Sequence, residues 1–428
     1  MKKIALFLLL VLAMASCDKQ DGNAVVDDGN QPVDSVKIVE GNVVEHTFTR
    51  AQAAPLEVSL SNEEEQMFES GYAFAAGLFG QVAGNASDEN VCISPLSVQI
   101  LLGMMSNAAK DDIANQLIEM MFGQGVTLDA MNSALGKLHE SLEATNCVSL
   151  SNAVWIQEGE RFNEDFLNTG RNVYYSTVNH LDFRNAPQSA MDSVCQWAYD
   201  NSFGRLKSLS LDDFSCNTSM VLGNLAWFSS AWLAGFDSHS TSKGQFTLAD
   251  GSVTNVEMMK MRDNIMSYKV LDKYRMLAFP FENNSFSMEF VVPANGYSLD
   301  SIIPEIDWSV ELNRGKVYLQ MPKFTVGYQA DYKSILSALG MEDLFECGAL
   351  DKLTNTYSDN ASYIAQMKQD VRIKVDEYGV EAVAATVSNN DKKTEYYNFN
   401  IDRPFVFAIR DNASGSFLFM GRVNEITQ

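Results

Sequence analysis

The sequence predicts an α+β fold, and three observations carry that reading. Helical periodicity gathers in the early part of the chain and strand-like runs in the later part. There is no βαβ rhythm and no internal repeat. With 428 residues, 46% of them apolar, 11% aromatic and 20% charged, the chain has material for a large packed interior. Residues 62–78 (NEEEQMFESGYAFAAGL) open on Asn, carry acidic residues in the first turn and place apolar side chains at helical spacing, which predicts a helix. Residues 94–105 (SPLSVQILLGMM) set Pro early in an apolar helical run, where its missing N–H costs least, and predict a buried helix start. Strands are predicted over 148–157, 220–228, 288–293, 317–322, 371–375 and 404–409 from short runs of β-branched, aromatic and aliphatic residues.

The N-terminus reads as a targeting segment. Lys2 and Lys3 precede an apolar run from Ile4 to Met14 that is too short for a permanent membrane span, and small residues follow. Met14-Ala15-Ser16-Cys17 resembles a bacterial lipoprotein cleavage box, with Met where Leu is usual, so residues 1–17 are expected to be a signal peptide ending at a lipidated Cys17. The alternative is an ordinary secretory signal with Cys17 as a bystander. Residues 18–55 are polar, acidic and rich in Gly and Asn, and are expected to form a flexible tether ahead of a single domain over 56–428. The expected location is outside the inner membrane, lipid-anchored in the outer membrane, either periplasmic or at the cell surface. Acidic residues after Cys17 resemble a surface-export signal. The other cysteines, Cys92, Cys147, Cys195, Cys216 and Cys347, form no C-x-x-C pair and read as buried thiols, with at most one disulfide.

Charge and motifs narrow the function. A net charge of −24, from 31 basic against 55 acidic residues, argues against nucleic acid and against anionic lipid as partners. His46, His139, His180 and His239 form no metal-binding spacing, and no phosphate-binding or dinucleotide loop is present, so no metal and no cofactor are expected. No G-x-S-x-G elbow occurs. Ser240-Thr241-Ser242-Lys243 matches S-x-x-K, but its partner elements S-D-N and K-T-G are absent, so a hydrolase using Ser240 is a weak alternative.

The distinctive segment is EYGVEAVAATVSNNDKKTEYYNF, Glu377 to Phe399. Glu381, Ala382, Ala384 and Ala385 suit a helix, whereas Gly379, Val380, Val383, Thr386 and Val387 argue for an exposed loop or a strand. Small and β-branched residues without Pro suit a strand that slides between two others, because the backbone meets both neighbours' hydrogen bonds and the side chains need little room.

This segment resembles the hinge of the serpin family, whose pattern is E-E-G-T-E-A-A-A-A-T against E-Y-G-V-E-A-V-A-A-T here, Glu377 to Thr386. The resemblance extends over residues 62–425 through Ser94-Pro95-Leu96-Ser97, Asn224-Leu225-Ala226-Trp227-Phe228 with Trp232 and Phe236, Met321-Pro322-Lys323-Phe324, Leu339-Gly340-Met341 with Phe345, Asp402-Arg403-Pro404-Phe405 and Phe419-Met420-Gly421-Arg422-Val423. It implies three β-sheets, about nine helices, an exposed reactive-centre loop at 377–399 and a monomer that is an inhibitor and not an enzyme. Family spacing counted forward from Glu377 and back from Pro404 converges on Lys393, which places the reactive bond at Lys393-Thr394 with Lys392 as the alternative. A Lys there suits the primary pocket of trypsin-like proteases. The partner implied is a target serine protease held as a covalent acyl-enzyme, with entry by other proteases near Val387 or Tyr396. The lipid box and the Lys-Thr bond together resemble bacterial surface members of broad specificity.

Departures from the family pattern are specific. Val380 stands where Thr or Ser is usual, Tyr378 replaces a charged residue and Val383 a small one, and none of these blocks insertion. In the strand-opening region Ser94, Ser97, Asn224 and Trp232 match, whereas Gln369 takes the place of a His, so no pH-linked opening is expected there. A non-inhibitory member acting as a binding or structural module is the second reading.

Overall fold

A capping box starts the first long helix. The Ser61 hydroxyl accepts from the Glu64 N–H at 3.2 Å, and the Glu64 carboxylate accepts from the Ser61 N–H at 2.8 Å. The helix, Asn62–Asn85, runs beyond the expected end at Leu78 because Phe79, Val82 and Ala83 are buried and continue the apolar stripe. The second expected helix is Pro95–Ser106, capped by Ser94, and all twelve of its residues are buried. The structure, a computed structural model, describes residues 7–11, 34–39, 43–48, 53–86, 88–202, 212–214, 218–353, 364, 367–380 and 396–426.

Strands Val148–Gln157 and Met220–Phe228 have the bounds the sequence predicts. Phe286–Pro293, Asn313–Pro322, Lys368–Asp376 and Phe405–Asp411 are longer or shifted by a few residues at their ends, where pairing to a neighbour holds residues that pattern alone would leave out. Among the described residues these elements form three sheets with eight α-helices, an α+β architecture.

One sheet has eight strands. Its order is Ser176–Leu181, Val148–Gln157, Met220–Phe228, Phe7–Val11, Lys368–Asp376, Gly379–Val380 and Ser230–Ala231, with Phe324–Asp331 on the other edge of Lys368–Asp376. The second sheet has nine strands, and its centre runs through Tyr274–Pro280, Phe286–Pro293, Phe405–Asp411 and Phe417–Val423. Within the stretch expected to be a tether, Asp34–Val39 and Val43–Phe48 pair as a two-stranded hairpin. Their valines and isoleucine favour extended backbone.

The core lies between the sheets. Phe228 of the first sheet packs against Phe281 and Phe286, with ring centroids 5.1 and 5.3 Å apart, and the wholly buried Pro95–Ser106 helix lies against both sheets. Arg422 ties this core to the first helix. Its fully buried guanidinium donates to the carbonyl oxygens of Ala83 at 3.0 Å and Glu89 at 3.0 Å, to that of Ala86, and to Asp300 Oδ1 at 2.8 Å. The Ala83 and Ala86 carbonyls belong to the C-terminal end of the helix, where intrahelical partners run out, and the Glu89 carbonyl to the segment that follows it. Arg422→Met keeps the bulk and removes the donors, so it should destabilise the fold by roughly 2–4 kcal/mol in urea unfolding; an unchanged midpoint would show that the carbonyls do not need the guanidinium.

Candidate functional site

The site is a lane in the eight-stranded sheet. Its walls are Met220–Phe228 on one side and Lys368–Asp376 on the other. At the mouth of the lane Gly379–Val380 already forms a short strand, antiparallel to Lys368–Asp376 and to Ser230–Ala231, which follows Met220–Phe228 in the chain: Val380 lies opposite Val375 and Ser230, and Gly379 opposite Asp376 and Ala231. Deeper in the same lane Phe7–Val11 is hydrogen-bonded as a strand, antiparallel to both walls.

Glycine is required at 379. Its φ is +137°, and a Cβ there would lie 2.2 Å from the Ser230 carbonyl oxygen. The neighbouring Glu377 side chain turns inward, only 5% exposed, and forms an ion pair with Lys323 Nζ at 2.9 Å. Thr241 Oγ1 donates to the same carboxylate oxygen at 2.8 Å. Burial alone would push the Glu377 carboxyl up, but Lys323 and the hydrogen bonds outweigh it and hold the group below the ordinary carboxylate range. Lys323 is held above its ordinary value: its burial works against the charge, and Glu377 overcomes that.

Trp232 closes the mouth. It is buried and stacked between Phe279 and Phe281, with ring centroids at 4.4 and 4.7 Å. Its indole N–H donates to the Asp376 carbonyl at 3.0 Å and its backbone N–H to the Tyr378 carbonyl at 3.0 Å. Phe236 adds a backbone bond to the Glu377 carbonyl at 2.9 Å. The strand that leads into the loop is thus pinned at three successive residues.

The lower lane holds the rest of the strand-opening set. Gln369 Oε1 accepts from the Ser94 N–H at 2.9 Å and from the Tyr332 hydroxyl at 2.7 Å, and Gln369 Nε2 donates to the Ser94 carbonyl at 3.2 Å. The Ser94 and Ser97 hydroxyls are 3.1 Å apart. Asn224 lies on the opposite wall, where Nδ2 donates to Asn152 Oδ1 at 2.6 Å, and Asn152 in turn donates to the Tyr174 carbonyl at 2.7 Å. The structure therefore joins Ser94, Ser97 and Gln369, and separates Asn224 and Trp232 from them. Tyr332, Asn152, Lys323 and Thr241 are additional members of the site. No local sign marks their roles, since each lies far along the chain from its partner.

The hinge residues Glu381, Ala382, Val383, Ala384, Ala385 and Thr386, the residues Lys392, Lys393 and Thr394, and Cys17 all lie outside the described residues. Ser240 is described, on an exposed turn, and donates to Asp237 Oδ2 at 3.0 Å. Lys243 lies in the strand Ser242–Thr247, not one helical turn from a serine on the same helix, and among the described residues no contact joins it to Ser240. The S-x-x-K match gains no support from this arrangement.

Residues 69–426 match the family described as Serpin (serine protease inhibitor). Glia-derived nexin of Mus musculus is 29% identical over 367 residues, covering 81% of this chain and 90% of the nexin. Neuroserpin of Mus musculus is 27% identical over 369 residues, covering 82% and 89%. Among solved structures, native protease nexin-1 with heparin aligns with a TM-score of 0.73 at 24% identity, covering 85% of this chain and 100% of that one. The thermophilic serpin tengpin in its native state aligns with a TM-score of 0.73 at 22% identity, covering 88% and 98%.

The Glu377 environment generates a test. A carboxyl whose folded pKa is lowered contributes stability above its unfolded value, about 4.3, and loses it as pH falls through the lower folded value. In Lys323→Met the burial of Glu377 loses its main counterweight, so this acid-side loss should flatten or reverse. Urea midpoints from pH 6 to pH 3 check it, and parallel curves for parent and variant would contradict the assignment.

Proposed function

The chain belongs to the serpin family, and from that premise we propose that it is a suicide-substrate inhibitor of serine proteases with Lys393-Thr394 as the reactive bond. The observation that carries this reading is the hinge: Gly379–Val380 already pairs with Lys368–Asp376 on one side and Ser230–Ala231 on the other, so the loop that follows has a strand started for it. A protease's serine oxygen attacks the Lys393 carbonyl carbon, the bond to the Thr394 nitrogen breaks, and the new amine leaves with a proton. The acyl-enzyme ester remains on Lys393. The freed segment then extends from Val380 along the lane, gaining ladder hydrogen bonds on both sides and burying Ala382, Ala384 and Thr386 or their alternates.

Geometry supplies the trap. From Gly379 to Lys393 the chain makes about 14 steps of roughly 3.3 Å, so full insertion carries the acylated protease on the order of 45 Å. Dragging its serine out of register halts deacylation, since about 1 Å of misplacement can cost about 10²-fold in rate. The hinge chemistry favours this over a non-inhibitory module, because Val380 is fully buried where it stands and the residues up to Thr386 are small and uncharged except Glu381.

A basic residue at 393, or at 392, fits trypsin-like proteases, with other classes entering near Val387 or Tyr396. We assign no polyanion partner, although the nexin-1 structure was solved with heparin, because a net charge of −24 repels one. The lipoprotein reading of residues 1–17 completes the proposal: a monomer anchored through Cys17 outside the inner membrane, with residues 18–55 as the tether.

Incubation with trypsin should give an adduct stable in SDS and a C-terminal fragment beginning at Thr394 by mass spectrometry. Cleavage without an adduct and with full trypsin activity would move the reading to a substrate or a non-inhibitory module. Val380→Arg should retain cleavage at Lys393-Thr394 and lower adduct yield by more than about tenfold, since the charge cannot be buried in the lane; an unaltered yield would sink the insertion step.

A further inference from the structure

We propose that Phe7–Val11 is an intramolecular plug. While the N-terminal segment is attached it occupies the lane that the cleaved loop needs, so the unprocessed chain cannot trap a protease, and removal of the segment arms it. This rests on the inhibitor reading above, which supplies the event being blocked.

The carrying observation is an agreement between two ladders. On one wall the hinge register sets Val380 opposite Val375; continued in steps along the strand, it sets residue 384 opposite Val371. On the other wall it sets Val380 opposite Ser230, and continued it sets residue 384 opposite Ala226. Leu8 holds both of those positions, facing Val371 on one side and Ala226 on the other. Leu9, Leu10 and Val11 likewise stand at the places assigned to residues 385, 386 and 387, and Leu10 lies between Gln369 and Asn224. The hinge and the N-terminal segment lie along the same edge of Lys368–Asp376, because Phe324–Asp331 holds the other edge. Adjacent strands are only about 4.8 Å apart, so a lane admits one strand at a time.

Chemistry makes the overlap natural. A targeting segment must be apolar and uncharged through its middle, and a short run without Pro or charge equally suits a strand paired on both edges. Phe-Leu-Leu-Leu-Val satisfies both. Its backbone pairs two strand edges that would otherwise bury open N–H and C=O groups. Because it is tethered to the same chain, it competes with the loop at high effective concentration. A chain still carrying its N-terminal segment is then harmless to proteases in the compartment where it is made.

The test uses the full chain of 428 residues, made by cell-free translation with Cys17→Ser so that the segment is retained. It is compared with Leu9→Pro and Leu10→Pro in that same chain. Successive residues of a strand direct their N–H groups to opposite walls, so the two prolines each delete a donor toward a different neighbour. Urea unfolding identifies a variant that does not fold. Amide exchange at Gly223–Ala226 and Lys368–Arg372 should quicken at least about tenfold in both variants, and the yield of trypsin adduct should rise at least tenfold over the parent. Unchanged exchange would overturn the plug, and so would a parent that already forms as much adduct as the variants. If exchange responds while parent and variants all fail to trap trypsin, occupancy of the lane is upheld and the inhibitor reading is what falls.

Discussion

Two strand edges, Met220–Phe228 and Lys368–Asp376, face one another across a single lane; the first is buried beyond Met220, and the second is buried at alternate residues. Buried backbone N–H and C=O groups require partners, and leaving a row of them unmet costs on the order of 1–3 kcal/mol for each group. Much of the molecule is arranged around which strand meets that demand. The hinge fills the mouth, Phe7–Val11 fills part of the depth, and side-chain hydrogen bonds lock one wall to the start of the Pro95–Ser106 helix and the other to the strand Val148–Gln157.

Those locks divide into two levels. At the mouth, Glu377 with Lys323 and Thr241, and Trp232 with the Asp376 and Tyr378 carbonyls, fix where the loop leaves the sheet. Lower down, Gln369 bridges the start of the Pro95–Ser106 helix to Tyr332, and Asn224 is held to the outer strand through Asn152. Most of these polar side chains are buried and hydrogen-bonded within the fold, so opening the lane means exchanging existing hydrogen bonds for others. Gln369, a neutral amide, itself adds no titratable group to the lower level, whereas the Glu377 carboxyl gives the mouth one.

Local chemistry was legible in the sequence where the cause is local. The acidic first turn after Asn62, Pro95 after Ser94, and the apolar runs in 148–157 and 220–228 each specify an element through neighbours a few residues away. Gly379 and Val380, which pointed away from a helix, do form a short strand, while the residues after them lie outside the described ones. Contacts between distant segments were not. Nothing near Tyr332 indicates that its hydroxyl meets Gln369, and nothing near Thr241 points to Glu377, 136 residues on. The apolar run after Lys3 reads as a targeting segment from its composition, and that composition serves a buried strand equally well, so its place in the sheet could not be read from the residues alone.

The most direct measurement of whether the lane accepts the loop compares urea unfolding of the processed protein before and after its loop is nicked at Lys393-Thr394. Insertion adds a full-length central strand paired on both sides, so the nicked form should unfold at a midpoint at least about 1 M higher despite a broken chain. A nicked form that unfolds at the same or a lower midpoint would mean that the cleaved loop stays outside the sheet, and would contradict the account at its centre.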